Sequence, residues 1–372
     1  MRVLLFFWEI ILARRLLNLL TMDEIATYPP KEICRLPLQE YYERSNVLLR
    51  QRDGWLQPIR FHSVRDEVRL LETGSALVDF SGHGLLRLDG SDAADFLNRI
   101  SSNDFRKFLP GDSVQTVLTT EKGRVVDSVV ALHMSDHILL IASPNAQLSV
   151  MQWIEKFIIA EDLRVNDETG RHIIFAVIHP DDFLEKLGVR VFRSNYYDVD
   201  ALFSISDADV SFPDHLSPYM DAQVGYDAFE LFKIRRGIPQ YSREIMAECN
   251  PLELNFRTQI SFTKGCYIGQ EVVARLDTYK KIQRTLCSFR GDGRLVHSGG
   301  GPIACDGKDI GIITNVAHDA NDDGSFAGLG VVRKEFARLH AQYVSGESAV
   351  PIIIDRVFNQ EDNMHGNNSG TR

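Results

Sequence analysis

The sequence has no Cys-x-x-Cys pair. Its five cysteines (Cys34, Cys249, Cys266, Cys287 and Cys305) are an odd number, scattered over 372 residues. Such a set argues against a disulfide framework and against a self-contained zinc or iron–sulfur site, so no metal site is expected. A reducing compartment fits: the cytoplasm, or the mitochondrial matrix in a eukaryote. Positive charge is not in excess either, since 41 basic and 51 acidic side chains leave −10. Bulk nucleic acid, which needs a basic face, is therefore not an expected partner, and Lys280, Lys281 and Arg284 read as a solvated face. A long apolar run is missing as well. Residues 3–13 are interrupted by Glu9 and fall short of the roughly 17–25 residues that span a bilayer, so no membrane span is expected. Residues 1–26 read as a leader outside the fold, with Met22 as a second start. An organellar presequence is the other reading, because arginine exceeds acid there.

With 44% hydrophobic and 25% charged residues the chain is an ordinary globular protein, and its length predicts two or three domains. Ser63 and Asp66 have capping-box spacing ahead of an apolar stripe at Val64, Val68 and Leu71, and Gly74 supplies the stop. Ser91 is the expected cap of a second helix, with Ala93, Phe96, Leu97 and Ile100 inward. The runs 114–118 and 125–132, joined by Thr120-Glu121-Lys122-Gly123, predict a hairpin. A helix is expected over 145–160 with Leu148, Met151, Ile154 and Ile158 on its buried side. A second round of strands follows at 173–178, 189–192 and 201–205, with a short helix over 181–187 and a longer one over 221–236 that stops at Gly237. Irregular alternation with hairpins means α+β, and the two rounds suggest an internal structural duplication without a sequence repeat. Beyond Lys281, short strands between glycine-rich turns predict a small β-barrel. The expected division is 1–26, 27–280, 281–357 and a polar, disordered tail over 358–372.

One octapeptide concentrates chemistry: Lys264-Gly265-Cys266-Tyr267-Ile268-Gly269-Gln270-Glu271. Two glycines in eight residues predict a shaped loop that turns into a helix at Gln270. If Lys264–Tyr267 is extended, Lys264 and Cys266 share a face, and an ammonium beside a thiol raises its thiolate fraction. Glu271, at the helix start, is expected to fix the loop by accepting backbone N–H groups.

The octapeptide resembles the signature of the YgfZ-type folate-binding proteins, relatives of the glycine-cleavage T-protein (aminomethyltransferase), and the likeness runs from about residue 38 to about residue 355. It implies two ferredoxin-like α+β subdomains around a central folate pocket, plus a C-terminal β-barrel, with tetrahydrofolate as the cofactor. Asn103-Asp104 resembles the Asn-Asp pair whose aspartate reads the pterin ring. A carboxylate suits that task, because it accepts two parallel N–H bonds. Thr120–Arg124 and Asp127 resemble the family's hairpin, read here as pocket wall, while Gln115 and Thr116 stand where many relatives carry an aromatic. Lys233 stands where an arginine is usual and Arg235 where a glutamate is usual. The cation at 233 is expected to meet the folate's glutamyl carboxylate. Tyr267, Gln270 and Glu271 are assigned to the folate side of the loop.

Cys266 divides the functional readings. Aminomethyl transfer needs no thiol, since folate N5 is the nucleophile. The resemblance therefore implies an accessory protein that supports iron–sulfur enzymes or cluster carriers, with Lys264, Cys266 and Tyr267 at a redox or cluster-facing edge of the pocket. One cysteine can form a mixed disulfide, accept an oxidant, or lend a single cluster ligand. A tetrahydrofolate-dependent aminomethyltransferase is the alternative, and an interaction module with a degenerate pocket is a third reading.

Overall fold

The computed structural model describes residues 33–186, 190–208, 212–293, 295, 299–320 and 324–358. The segment expected as a leader (1–26), residues 359–372 of the expected tail and the start of the strand expected at 189 lie outside these residues, while Phe358, expected in that tail, packs on the main core with its amide on Leu286 O at 2.9 Å. From Arg35 onward the chain is one compact unit. It opens with helix α1 (Gln39–Arg44) and a hairpin of β1 (Leu48–Arg52) and β2 (Trp55–Arg60). Helix α2 (Val64–Thr73) begins where its cap predicts, with Ser63 Oγ accepting from the Asp66 amide at 3.2 Å.

The first large sheet takes β4 (Gly84–Asp89), β5 (Ser113–Thr119), β6 (Val125–His133), β7 (His137–Ala142) and β8 (Arg164–Asp167) in the order β5-β6-β7-β4-β8, antiparallel throughout. Helices α3 (Ala93–Ile100) and α4 (Gln147–Glu155) cover one face, where Phe96, Leu97, Trp153 and Ile154 pack on Leu88, Val129 and Leu140. The second sheet takes β3 (Ala76–Asp79), β9 (His172–Ile178), β10 (Phe192–Tyr196), β11 (Val199–Asp207) and β12 (Gln223–Val224) in the order β10-β11-β9-β3-β12. Strand β9 shows why it is nearly all apolar. Ile174, Ala176 and Ile178 face the main core with Val117, Val130 and Ile141 of the first sheet, while Ile173, Phe175 and Val177 face a second cluster with Leu38, Tyr42 and Leu216.

Helix α6 (Tyr226–Arg236) follows the short helix α5 (Phe183–Lys186) and ends at Gly237, whose φ of 66° only glycine holds cheaply. After α7 (Gln270–Tyr279), strands β13 (Arg284–Asp292), β14 (Gly301–Cys305), β15 (Lys308–His318), β16 (Ser325–Arg333), β17 (Gln342–Ser345) and β18 (Val350–Val357) close a six-stranded barrel in the order β13-β16-β15-β14-β17-β18. Its interior is a separate cluster around Phe289, Ile303, Phe326 and Ile352. Leu286, Leu329 and Val331 instead join the main core, so the barrel wall seals the sheets. The architecture is mixed α+β with a closed C-terminal barrel.

Three local expectations fail for identifiable reasons. Asn145 has φ 65°, which cannot continue a helix, so α4 runs only from Gln147 to Glu155. Its buried face carries Val150, Trp153 and Ile154, and Leu148 is 55% exposed. Ser91 does not cap α3. Its hydroxyl and amide reach Asp162 instead, and Asp92 occupies the cap position. Helix α6 starts at Tyr226 rather than Asp221, because Asp214–Ala222 is a 3-10 helix and Gln223–Val224 pairs with β3.

Candidate functional site

The turn after α3 is built from a distance. Lys264 reaches back about 160 positions to the carbonyl end of that helix, a cation at the negative pole. Its ammonium donates to Asn98 O at 2.6 Å, to Ser101 O at 2.8 Å and to Asn103 O. Three bonds use all three of its N–H donors. The side chain is buried, and that burial pulls its pKa down to about 8 against the pull of Asp104. Its charge also sits 5.6 Å from the centre of the buried Tyr267 ring. Cys266, by contrast, is exposed. The expected pairing of Lys264 with the thiol therefore does not form: the loop bends, the ammonium goes inward and the sulfur outward.

Asn103 fixes the turn from the other side. Its amide N–H donates to Thr116 Oγ1 at 2.9 Å, its side chain donates to Gln115 O at 2.8 Å, and its Oδ1 accepts from the Asp104 amide at 2.9 Å. Asp104 is left at the wall of a groove of about 840 Å³, with Phe108, Asp112 and Arg193. There its two oxygens accept a fork from Arg106, with Nε 3.0 Å from each. The Arg106 hydrogen bonds hold the Asp104 carboxyl well below the usual carboxylate range.

The rest of the octapeptide docks on the hairpin. Thr119 Oγ1 donates to Ile268 O at 2.5 Å, and Gly269 has φ 81°. A Cβ at Gly269 would lie 2.5 Å from Thr120 O. Helix α7 then starts, its Gln270 half-buried. Glu271 is exposed and, among the described residues, accepts no backbone N–H. The loop is fixed by Lys264 and Gly269 instead, so the expectation for Glu271 is corrected.

Lys233 is not brought to Asp104. It is buried on α6, ion-paired with Glu230, with its ammonium 5.0 Å from the centre of the Phe229 ring. Glu230 also takes Arg243 at 2.6 Å and Gln240 Nε2 at 3.0 Å. Burial opposes its ionisation, yet Lys233 and Arg243 hold it down at about 2. Lys233 is thus already neutralised and is not poised for a glutamyl carboxylate. It borders a central cavity of about 20 Å³, lined by Phe80, His83, Ser143, Tyr196 and Gln240. That is room for about one water, not for a pteridine. His83 stacks on Phe80 with centroids 4.2 Å apart, and burial first, then Lys233, push its pKa down to about 3, so its imidazole is neutral at pH 7. The space at the centre is small and lined in part by aromatic rings, and a larger groove lies beside Asp104.

Gln115, Ser128 and Gln259 carry more than the sequence suggested. Gln115 Oε1 accepts from the Tyr197 amide at 2.9 Å, its Nε2 donates to Ser128 Oγ at 3.3 Å, and Ser128 Oγ donates to Gln259 Oε1 at 2.6 Å. This buried relay links the Asn103 turn to the central cavity. Its signal in the sequence is faint: polar side chains among apolar neighbours in β5 and β6. Among the described residues no cluster of three potential ligands could hold a metal ion, and no helix is long and apolar enough to cross a membrane.

An α+β core of two antiparallel-rich sheets, sealed by a six-stranded barrel and carrying an acceptor turn beside a groove, defines a class that known proteins share. Residues 38–188 match the GCVT N-terminal domain family. A putative chloroplastic transferase of Arabidopsis thaliana is 30% identical over 308 residues, covering 76% of this chain and 71% of that one. The aminomethyltransferase of Desulfitobacterium hafniense is 22% identical over 83% of this chain and 92% of its own. The glycine cleavage system aminomethyltransferase T of Bartonella henselae has the same fold, with a TM-score of 0.72 over 87% of this chain and 97% of that chain at 16% identity. The chain belongs to the GcvT superfamily.

Proposed function

We propose that the chain binds a reduced folate beside Asp104 and uses it in one-carbon transfer, as an aminomethyltransferase does. The observation that carries this is the fork on Asp104. A guanidinium presents two parallel N–H donors, and so does the edge of a 2-amino-4-oxopteridine. Arg106, mostly exposed, holds the place such an edge would take. The groove lies within the usual size of small-molecule sites, about 300–1,000 Å³. In this reading Asp104 and Asn103 contact tetrahydrofolate, Lys264 positions their turn, and Tyr267, Gln270 and Glu271 belong to the loop beyond it. Folate N5 supplies the nucleophile, and the protein's part is to orient reactants and exclude water. The relatives named aminomethyltransferase support this more directly than the iron–sulfur role.

One observation favours the second reading, support of iron–sulfur enzymes or cluster carriers in the YgfZ manner. Cys266 stands exposed on a loop pinned on both sides, by Lys264 and by Gly269, and aminomethyl transfer gives a thiol no task. We assign residues 27–280 to the paired ferredoxin-like subdomains that the resemblance implies, and 281–357 to the barrel. A reducing compartment, cytoplasm or organelle matrix, is the setting we propose.

The test is formation of methylene-tetrahydrofolate from an aminomethylated lipoyl carrier. Turnover that is lost in Asp104→Ala and kept in Cys266→Ala supports the transferase. Absence of turnover, together with loss of iron–sulfur enzyme activity in cells carrying Cys266→Ala, supports the accessory role.

A further inference from the structure

Strand β1 presents two arginines to a cleft of about 640 Å³ between the first hairpin, α6 and barrel strand β15. Arg50 and Arg52 flank Gln51, so the pleat turns both side chains to the same side. Arg60, Arg243, Tyr226 and Asn315 line it too, together with the carboxylates of Asp227, Glu230 and Asp319. The acids nearby already have cations. Asp227 takes Arg60 at 3.2 Å, Asp53 takes Arg243 at 3.1 Å, Asp319 takes Arg235 at 3.0 Å, and Glu230 takes Arg243 and Lys233. Arg50 and Arg52 form no ion pair among the described residues. Arg52 instead lies 5.8 Å from the centre of the Tyr226 ring, whose hydroxyl is held by Asp53 at 3.0 Å.

Like charges on one face of a strand repel, so two neighbouring arginines without an acid are a cost to the free protein. Here they stand over a concave surface whose floor is fixed by buried bonds, including Asn315 Nδ2 to Glu230 at 3.2 Å. The guanidinium fork matches carboxylate and phosphate alike. We propose that this cleft binds a small polyanion whose oxyanion groups repeat along a short chain. Arg50 and Arg52 grip the outer groups and Arg60 and Arg243 line the inner end. The cleft shares no lining residue with the Asp104 groove, so the site stands apart from the folate reading.

Calorimetric titration of the full chain with inorganic tripolyphosphate and, separately, with tri-γ-glutamate tests it. One-to-one binding of either probe is expected, weakened at least about 100-fold in Arg50→Ala/Arg52→Ala, since each lost charged hydrogen bond is worth about tenfold or more. Arg50→Lys/Arg52→Lys, which keeps the charge without the fork, should fall between. The probe that binds identifies phosphate or carboxylate as the source. The proposal is overturned if neither probe binds, or if the alanine variant, with an unchanged melting temperature, binds as tightly as the parent.

Discussion

Lys264 and His83 show how burial sets the chemistry of single residues here. The octapeptide made Lys264 visible in the sequence, but not its task, because its three carbonyl partners belong to a helix end far upstream. Local spacing placed the ammonium beside Cys266, and long-range packing placed it under Asn103. His83, a lone histidine between glycines, carries no pattern in the sequence. Its neutral state gives a pH signature. The folded pKa, about 3, lies below the unfolded value of about 6.5, so the unfolded chain binds the extra proton and stability falls as pH drops below 6.5. By pH 5 the loss is about 2 kcal/mol. Asp127, which burial holds up at about 6, acts with the opposite sign. Urea unfolding of the parent and of His83→Phe at pH 7 and pH 5 isolates the histidine. The parent should lose about 2 kcal/mol more than the variant between the two pH values, and equal losses would contradict the burial of a neutral imidazole.

Elements were the most legible scale. Ser63, the hairpin around Gly123 and the stop at Gly237 announced themselves through chemistry that acts within four residues, and all three stand as read. Helix α4 and the start of α6 did not, because a left-handed Asn145 and an edge pairing at Gln223–Val224 are decided by neighbours in space. Gly269 ties this scale to the site. Its φ of 81° and the nearby Thr120 carbonyl let the octapeptide lie on the β5–β6 turn. Gly265 has open space around its Cβ position and no such φ. Gly269→Ala should therefore cost about 1–3 kcal/mol in thermal or urea unfolding, with Gly265→Ala near neutral. Equal effects would mean that the loop's shape does not depend on that contact.

At the scale of the whole molecule, alternation of hairpins and helices gave α+β, and the glycine-rich C-terminal third gave the barrel. The placement of the site was harder to read. Asp104 and Lys233 belong to one pocket in the family pattern, yet here they border different cavities, joined through Gln115 and Ser128. Phe80 packs on His83 and Tyr196 at the wall of the small central cavity, and no periodicity in the sequence reports how tightly rings pack. In the proposed function a pteridine replaces the Arg106 fork on Asp104 in the groove. Calorimetric titration of tetrahydrofolate into the parent, Asp104→Ala and Arg106→Ala tests this most directly. Asp104→Ala should bind about tenfold to hundredfold more weakly, and Arg106→Ala a few-fold more tightly, because its competitor for the carboxylate is gone. Equal affinity in parent and Asp104→Ala, or loss of binding in Arg106→Ala, would contradict it.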